Sequence, residues 1–431
     1  MSRAAEPERL DARGLAPTSH GFSLGSDLEH LSAVLAVRAP EATIFYGGRI
    51  LEALSGAAVE QVGGEAKPNP FANMKYLEDL ALLKKDQGYW AHGLRRLGNE
   101  VRHLARPVGF GGAEAAALLV ERGMVGYFEV FAAGPRLASL FRAEEVADGP
   151  LFPPEDPEIA RLFRQIDKPG GLAELAARPL SPAEVAALER APTAACLLAE
   201  KWIDAGLLEP ADRLFALLEK TIAGELRLLQ LKAVACNRRR DPEGSIALLQ
   251  PVASAGAVDE ETLGILAGAY KRRWDRSRGT AREDLKALEQ SQRYYDRAWQ
   301  NSKQASYYNG INAATTALFL GKPDKAREIA ALVVGVILKQ ASAVQARTGR
   351  DLLAENYWLA ATLAEARLLE GDDKAAAQSY EKAFVTFATE RGNFATTAQQ
   401  ARAIIRTRAA PAPDLSAVLD RFAPEAGPAP T

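Results

Sequence analysis

The residues best placed to do chemistry are Arg96, Asn99 and His103, within the stretch Leu94-Arg95-Arg96-Leu97-Gly98-Asn99-Glu100-Val101-Arg102-His103-Leu104. At about 100° per residue, a helix gathers the three within roughly 60° of one another. Leu94, Leu97, Val101 and Leu104 then fall on a separate face that can dock into a core. Imidazole moves protons near neutral pH, a guanidinium grips phosphate oxygens as a fork, and an amide orients a ribose or a phosphate. Together they suit metal-free RNA cleavage, in which a ribose 2′-OH attacks the adjacent phosphate, with Arg95 and Arg102 as flanking cations for the substrate. That reaction needs a base and an acid, so a single His103 per chain favours a site shared by two subunits of a homodimer. The plainer reading makes the triplet surface residues or interhelical hydrogen-bonding groups.

Few other residues compete for a chemical role. The remaining histidines are His20 and His30, in or near the N-terminal segment, and His92, which suits a surface turn at the entrance to the His103 helix. The two cysteines, Cys196 and Cys236, lack the spacing of a disulfide framework or a zinc site, which fits a reducing cytoplasm; no metal or cofactor is expected. There is no Gly-x-Ser-x-Gly elbow, metalloprotease His-Glu pair or Walker loop. The glycine cluster Gly109-Phe110-Gly111-Gly112 follows a helix and is not followed by Lys-Ser/Thr, so it reads as an interhelical connection.

The frame that must position these residues is long and helical. A chain of 431 residues, 48% hydrophobic and 25% charged, implies two or three domains with ample core. The formal net charge of −2 argues against a general nucleic-acid binder, although residues 67–106 carry eight Lys/Arg against four Asp/Glu and residues 271–282 carry six against one. Residues 1–25 read as a flexible tail without a signal-peptide core, and no run of 18 apolar residues suggests a membrane span. Beyond the tail, apolar residues recur at three- and four-residue spacing. Helices are expected over 41–60, with Ile44, Leu51, Leu54 and Ala58 inward, and over 71–87, before the His103 helix.

Prolines 135, 150, 153, 154, 157, 169 and 179 mark 134–180 as a Pro-rich acidic linker holding a short helix around Glu158–Ile166. At Ser181-Pro182-Ala183-Glu184 the next domain opens with a capping-box signal. From 181 to 408 the chain reads as a helical repeat array. Leu363, Ala364, Gly371, Ala376, Tyr380 and Ala383 have the small-large spacing of a tetratricopeptide unit, and Ala313, Ala314, Gly321 and Ala326 repeat it. A third copy holds Leu266, Ala267, Tyr270, Tyr295 and Ala298 around a charged insertion, 275–284, with degenerate helices at 193–206, 211–219, 224–237 and 243–253. Such units stack into an α-solenoid whose concave groove suits a protein partner. Residues 409–431 read as a second flexible tail.

Tyr270, Trp274, Tyr294, Tyr295, Trp299, Tyr307 and Tyr308 crowd beside Lys271, Arg272, Arg273, Arg276, Arg278 and Arg282. Interleaved aromatic and basic residues can bind RNA by stacking and phosphate contact. The plainer expectation is aromatics in the repeat core and charges on a solvated loop. In Tyr308-Asn309-Gly310-Ile311-Asn312, the glycine suits helix-helix contact, and Asn309 with Asn312 can bridge neighbouring helices.

Two resemblances sharpen these readings. The segment from about Ile44 to Phe131 resembles the HEPN superfamily, in the branch whose third helix reads Leu-Arg-x-Leu-Gly-Asn-Glu-x-x-His, met here by Leu94 to His103; Arg49-Ile50-Leu51-Glu52-Ala53-Leu54 fits its opening helix. Nucleases of that superfamily carry an Arg, four to six residues, then His, which Arg96 satisfies and Arg95 narrowly misses. The resemblance implies a helical bundle at 26–133 that dimerises and either cleaves RNA or only binds. Residues 190–405 resemble the TRAF-binding, tetratricopeptide-like region of apoptosis-signalling MAP kinase kinase kinases. Gly268-Ala269-Tyr270-Lys271-Arg272, Tyr294-Tyr295-Asp296-Arg297-Ala298-Trp299 and Tyr308-Asn309-Gly310-Ile311-Asn312-Ala313-Ala314 carry that likeness, which implies a scaffold without kinase parts. The expectation is an all-α, cytoplasmic protein: a metal-independent endoribonuclease governed by a repeat sensor, in bacterial stress or phage defence. The alternative is a catalytically silent adaptor that dimerises and assembles protein partners.

Overall fold

The computed structural model describes residues 27, 30, 31, 33 and 34 and the segments 37–61, 64–67, 70–79, 157–222, 225–255, 259–389 and 391–424. The His103 helix, the Gly109–Gly112 loop and the first part of the Pro-rich segment lie outside these residues. Every regular element among the described residues is an α-helix. The chain divides into two compact units, residues 1–78 with 82–231 and residues 79–81 with 232–431. The division between these units falls near residue 231.

In the first unit, α1 (Pro40–Gln61) carries the expected apolar stripe, with Ile44, Leu51, Leu54 and Ala58 all buried. Before α2 (Pro70–Asp79), Asn73 ties down the incoming loop. Its Oδ1 accepts from Lys67 N at 2.7 Å and its Nδ2 donates to Lys67 O at 2.9 Å. The short helix expected near Glu158–Ile166 is α3 (Pro157–Asp167), followed by α4 (Gly171–Ala176), α5 (Pro182–Arg190), α6 (Pro192–Asp204), α7 (Leu208–Leu217) and α8 (Glu219–Ile222).

The stretch 157–180 packs against its neighbours in the first unit. Leu162, Ile166 and Leu175 are buried, Trp202 Nε1 donates to Leu172 O at 3.2 Å, and Arg213 Nη2 donates to Ala176 O at 2.7 Å. Its prolines punctuate helices, Pro157 opening α3 and Pro169 turning into α4, where proline's fixed φ and missing N–H do no harm.

The start signal at Ser181 forms as read. Ser181 Oγ accepts from Glu184 N, and the Glu184 carboxylate accepts from Ser181 N at 2.7 Å. The same carboxylate, wholly buried, receives Arg178 Nη2 at 2.6 Å and Arg161 Nη2 at 2.9 Å. The Arg178 hydrogen bond foremost, with the Ser181 N–H and the Arg161 charge, outweighs burial and lowers the Glu184 carboxyl to about 2. One residue thereby caps α5 and holds α3 and the α4–α5 turn to it.

Helix α9 (Leu226–Arg238) leads into the second unit, which holds α10 (Pro242–Ser254), α11 (Glu260–Ser277), α12 (Leu285–Asn301), α13 (Tyr307–Phe319), α14 (Pro323–Thr348), α15 (Leu352–Glu355), α16 (Tyr357–Glu370), α17 (Asp373–Thr386), α18 (Arg391–Arg408) and α19 (Pro413–Phe422). The pairs α11/α12, α13/α14 and α16/α17 are antiparallel hairpins, stacked through α12 on α13 and α14 on α16. Small residues make this stacking close: Ala313 and Ala314 on α13 and Ala360, Ala361 and Ala364 on α16 are buried. Gly321 and Gly371 end α13 and α16 with φ of 70° and 95°, a conformation that costs L side chains and suits glycine.

Three expectations change in this unit. The segment from 409 is not wholly a tail, because Leu415 and Leu419 of α19 are fully buried in its packing with α17. The side chains of Asn309 and Asn312 do not bridge helices; their Nδ2 groups donate to Ser306 Oγ at 3.1 Å and to Tyr308 O at 2.9 Å within the same turn. Finally, α14 is long and apolar enough by composition to match a membrane span, yet Ala326, Ile329, Ala330, Val333, Ile337 and Val344 form a buried stripe at helical spacing. That stripe seats α14 on α13 and α16, as a repeat helix requires.

Candidate functional site

The inner helices of the second unit, α11, α13, α16 and α18, surround a cavity of about 980 Å³. Its walls hold Lys271, Arg272, Asp275 and Arg278 from α11, Tyr308 and Asn312 from α13, Trp358, Thr362 and Glu365 from α16, and Gln400, Arg406 and Thr407 from α18. Four cations thus face two carboxylates, in a chain whose net charge is negative. Tyr308 and Trp358 remain 48% and 49% exposed although both are large aromatic side chains in a folded core region. Exposed aromatics facing one cavity are available for contact with something else.

Helical spacing explains the cationic wall. Lys271, Asp275 and Arg278 stand at i, i+4 and i+7 on α11 and its C-terminal cap, so they share a face that opens inward. Gly268 comes one turn before Lys271; a Cβ there would lie 3.0 Å from Arg272 Nη1, so the missing side chain leaves room for the guanidinium. The Arg278 guanidinium stacks over Trp274 at 4.7 Å and Phe319 at 4.4 Å and donates from Nη2 to Thr407 Oγ1 at 3.2 Å. Lys271 Nζ donates to Gln400 Oε1 at 3.3 Å. These two bonds join segments 129 residues apart and close α18 against α11 across the cavity.

Glu365 anchors the opposite wall. Its Oε1 accepts from Thr315 Oγ1 at 2.6 Å and from Gln400 Nε2 at 3.1 Å, so Gln400 links it to Lys271. Burial is the main cause that pushes the Lys271 amine below its ordinary value. Arg272 and Arg278 add to the shift, against the opposing charges of Glu365 and Asp275. Burial also raises the Asp275 carboxyl, against the pull of Lys271, Arg278 and Arg272. Among the described residues no group of three His, Cys, Asp or Glu side chains can hold a metal ion. The cavity is equipped for anion recognition and stacking.

The residues expected to do chemistry, Arg96, Asn99 and His103 with Arg95 and Arg102, lie outside the described residues, as does His92. The aromatic-basic cluster around 270–308 is described and splits in two. Trp274, Tyr294, Tyr295, Trp299 and Tyr307 are buried as repeat core, and Tyr270 stacks on Tyr294 at 5.9 Å with both hydroxyls bonded to Gln250. Arg273 is taken up by Asp284 at 2.8 Å and Glu243 at 3.3 Å, and Arg276 and Arg282 are exposed. Only Lys271, Arg272, Arg278, Tyr295 and Tyr308 of the cluster line the cavity. The α16 and α18 contributions, Trp358, Glu365, Gln400 and Arg406 among them, carried no motif; only the assembly of repeats puts them opposite α11.

No curated protein matches this sequence. Among solved structures, the crystal structure of the APC/C hetero-tetramer Cut9-Hcn1 aligns over 93% of this chain and 85% of that one, at 11% identity and a TM-score of 0.27, too low to carry an argument. Residues 194–318 match the family described as Tetratricopeptide Repeats-Sensor, so the stretch from α6 to α13 is similar to a repeat-built sensor domain.

Proposed function

We propose that the protein is a repeat adaptor whose second unit receives an acidic segment of a protein partner in the cavity between α11, α13, α16 and α18. The observation that carries this reading is the cavity's composition: four cations against two carboxylates, with Tyr308 and Trp358 half exposed beside them. An extended acidic segment with one apolar side chain fits both features, the carboxylates meeting guanidinium forks and the apolar group resting on an aromatic face. Tetratricopeptide-type arrays present such inner surfaces to partners. The test is fluorescence anisotropy with a labelled octapeptide of glutamates around a central leucine. Binding that weakens with salt, and weakens about tenfold or more in Arg272→Glu, supports the reading. Equal binding of a lysine octapeptide, or none of the acidic one at millimolar concentration, refutes it.

The motif at Leu94–His103 keeps a second reading in view, in which the N-terminal segment is a dimeric, metal-independent ribonuclease controlled by the repeats. Purified protein incubated with total RNA and chelator tests it. Products ending in 2′,3′-cyclic phosphate that vanish in His103→Ala support the nuclease, and no cleavage by the unmodified chain leaves the adaptor alone.

A further inference from the structure

Lys271 is an unusual lysine for a folded protein. It stands inside a cavity, half-buried, and among the described residues no carboxylate comes within ion-pair distance of it; its hydrogen bond is to the neutral amide oxygen of Gln400. The charged groups that face it are Arg272, Asp275 and Arg278 on its own helix and Glu365 on α16. A lysine desolvated beside other cations gives up its proton more readily and becomes a nucleophile near neutral pH. The neighbouring Arg272 has no hydrogen bond or ion pair of its own among the described residues, and its guanidinium, with the Tyr295 hydroxyl behind it, fills the space above Gly268. The arrangement therefore pairs an amine with an anion-binding fork on one wall of the cavity.

We propose that the cavity captures a small anionic aldehyde covalently, Lys271 condensing with the carbonyl while Arg272 holds the carboxylate or phosphate. The neutral amine nitrogen adds to the carbonyl carbon, a proton passes from nitrogen to the former carbonyl oxygen, and loss of water from this carbinolamine leaves the imine. One water is released for each C=N formed, and no oxidant or cofactor is consumed. Gln400 orients the amine through its side-chain oxygen, and the exposed ring of Tyr308 or Trp358 offers a surface to the aldehyde's carbon skeleton. This proposal uses the same cavity and the same Arg272 as the acidic-peptide reading, but its readout is separate, because a peptide forms no imine with Lys271; either can fail alone.

The probe is 4-carboxybenzaldehyde, with benzaldehyde as its neutral counterpart, added to the full chain with cyanoborohydride to trap imines and followed by peptide mass mapping. The expected result is modification of Lys271 at least about tenfold faster than of the exposed Lys322 and Lys339, which serve as internal references in the same molecule. The preference for the carboxylated probe should disappear in Arg272→Gln, while Lys322 and Lys339 react unchanged. Lys271→Met, checked by circular dichroism for its helix content, should lose the fast adduct only. Labelling of Lys271 no faster than the references overturns the proposal. Fast labelling by both probes alike overturns the assignment of an anionic ligand.

Discussion

Gly310 and Gly335 offer a matched test of how the repeats pack. Both lie inside helices, so changing either to alanine brings the same intrinsic gain of about 1 kcal/mol from better helix propensity. Their surroundings differ. A Cβ at Gly310 would lie 2.7 Å from Val333 Cγ2 and 2.8 and 2.9 Å from Trp299 Cζ3 and Cε3, whereas a Cβ at Gly335 meets nothing described within 4 Å. Trp299 and Val333 are both fully buried, on α12 and α14, so neither can swing aside into solvent. Forcing a methyl group into a filled site of this kind costs about 1–3 kcal/mol. Gly310→Ala should therefore range from nearly neutral to about 2 kcal/mol destabilised, and Gly335→Ala should gain about 0.5–1 kcal/mol. The propensity term cancels between the two variants, leaving a gap of about 1–3 kcal/mol that reports the α12/α13/α14 contact alone. Denaturant unfolding followed by circular dichroism measures it, provided the m-value stays constant. A Gly310→Ala midpoint equal to or above that of Gly335→Ala would show that α13 is not pressed against its neighbours, and the stacking would have to be redrawn.

Other expectations follow from the first unit and the cavity. Glu184→Gln should be less stable than the unmodified chain at pH 6. Because the folded carboxyl lies at about 2 against an ordinary 4.5, that advantage should shrink as pH falls through this window and be gone below it, in midpoints measured from pH 6 to 2. In the buried pair that Arg227 forms with Glu200, removing one partner strands a charge. Arg227→Ala should cost about 3 kcal/mol and Arg227→Leu/Glu200→Leu substantially less, and equal losses in thermal unfolding would rule out a desolvated pair. Gly268→Ala should displace the Arg272 guanidinium and weaken acidic-peptide binding without changing the unfolding free energy by more than about 1 kcal/mol; unaltered affinity would remove Arg272 from the binding surface.

How much of this was legible in the chain depends on the range over which each feature is decided. The capping box at Ser181–Glu184, the inward residues of α1 and the small residues of α13 and α16 follow from spacing of a few residues, because a helix fixes its neighbours at i+3 and i+4. The prolines between 157 and 180 are ambiguous for the same local reason. Proline interrupts a pattern whether the chain leaves the fold there or merely starts a new helix, and only the burial of Leu162, Ile166 and Leu175 distinguishes the two. At the far end, α19 is a short segment whose place depends on a neighbour, α17, that periodicity does not identify.

By itself, then, the sequence determined that the chain is helical and that its C-terminal part is built of repeated hairpins. The tertiary structure alone decided which charges in the basic stretch at 271–282 face inward. Lys271 and Arg278 turn towards Gln400 and Thr407, 129 residues away, whereas Arg273 is taken by Asp284 and Glu243. The physical reason is that charge and aromatic content are properties of composition, while a cavity is a property of closure. Helices far apart in the chain become its walls only when their small residues let the repeats pack closely enough to curl around it.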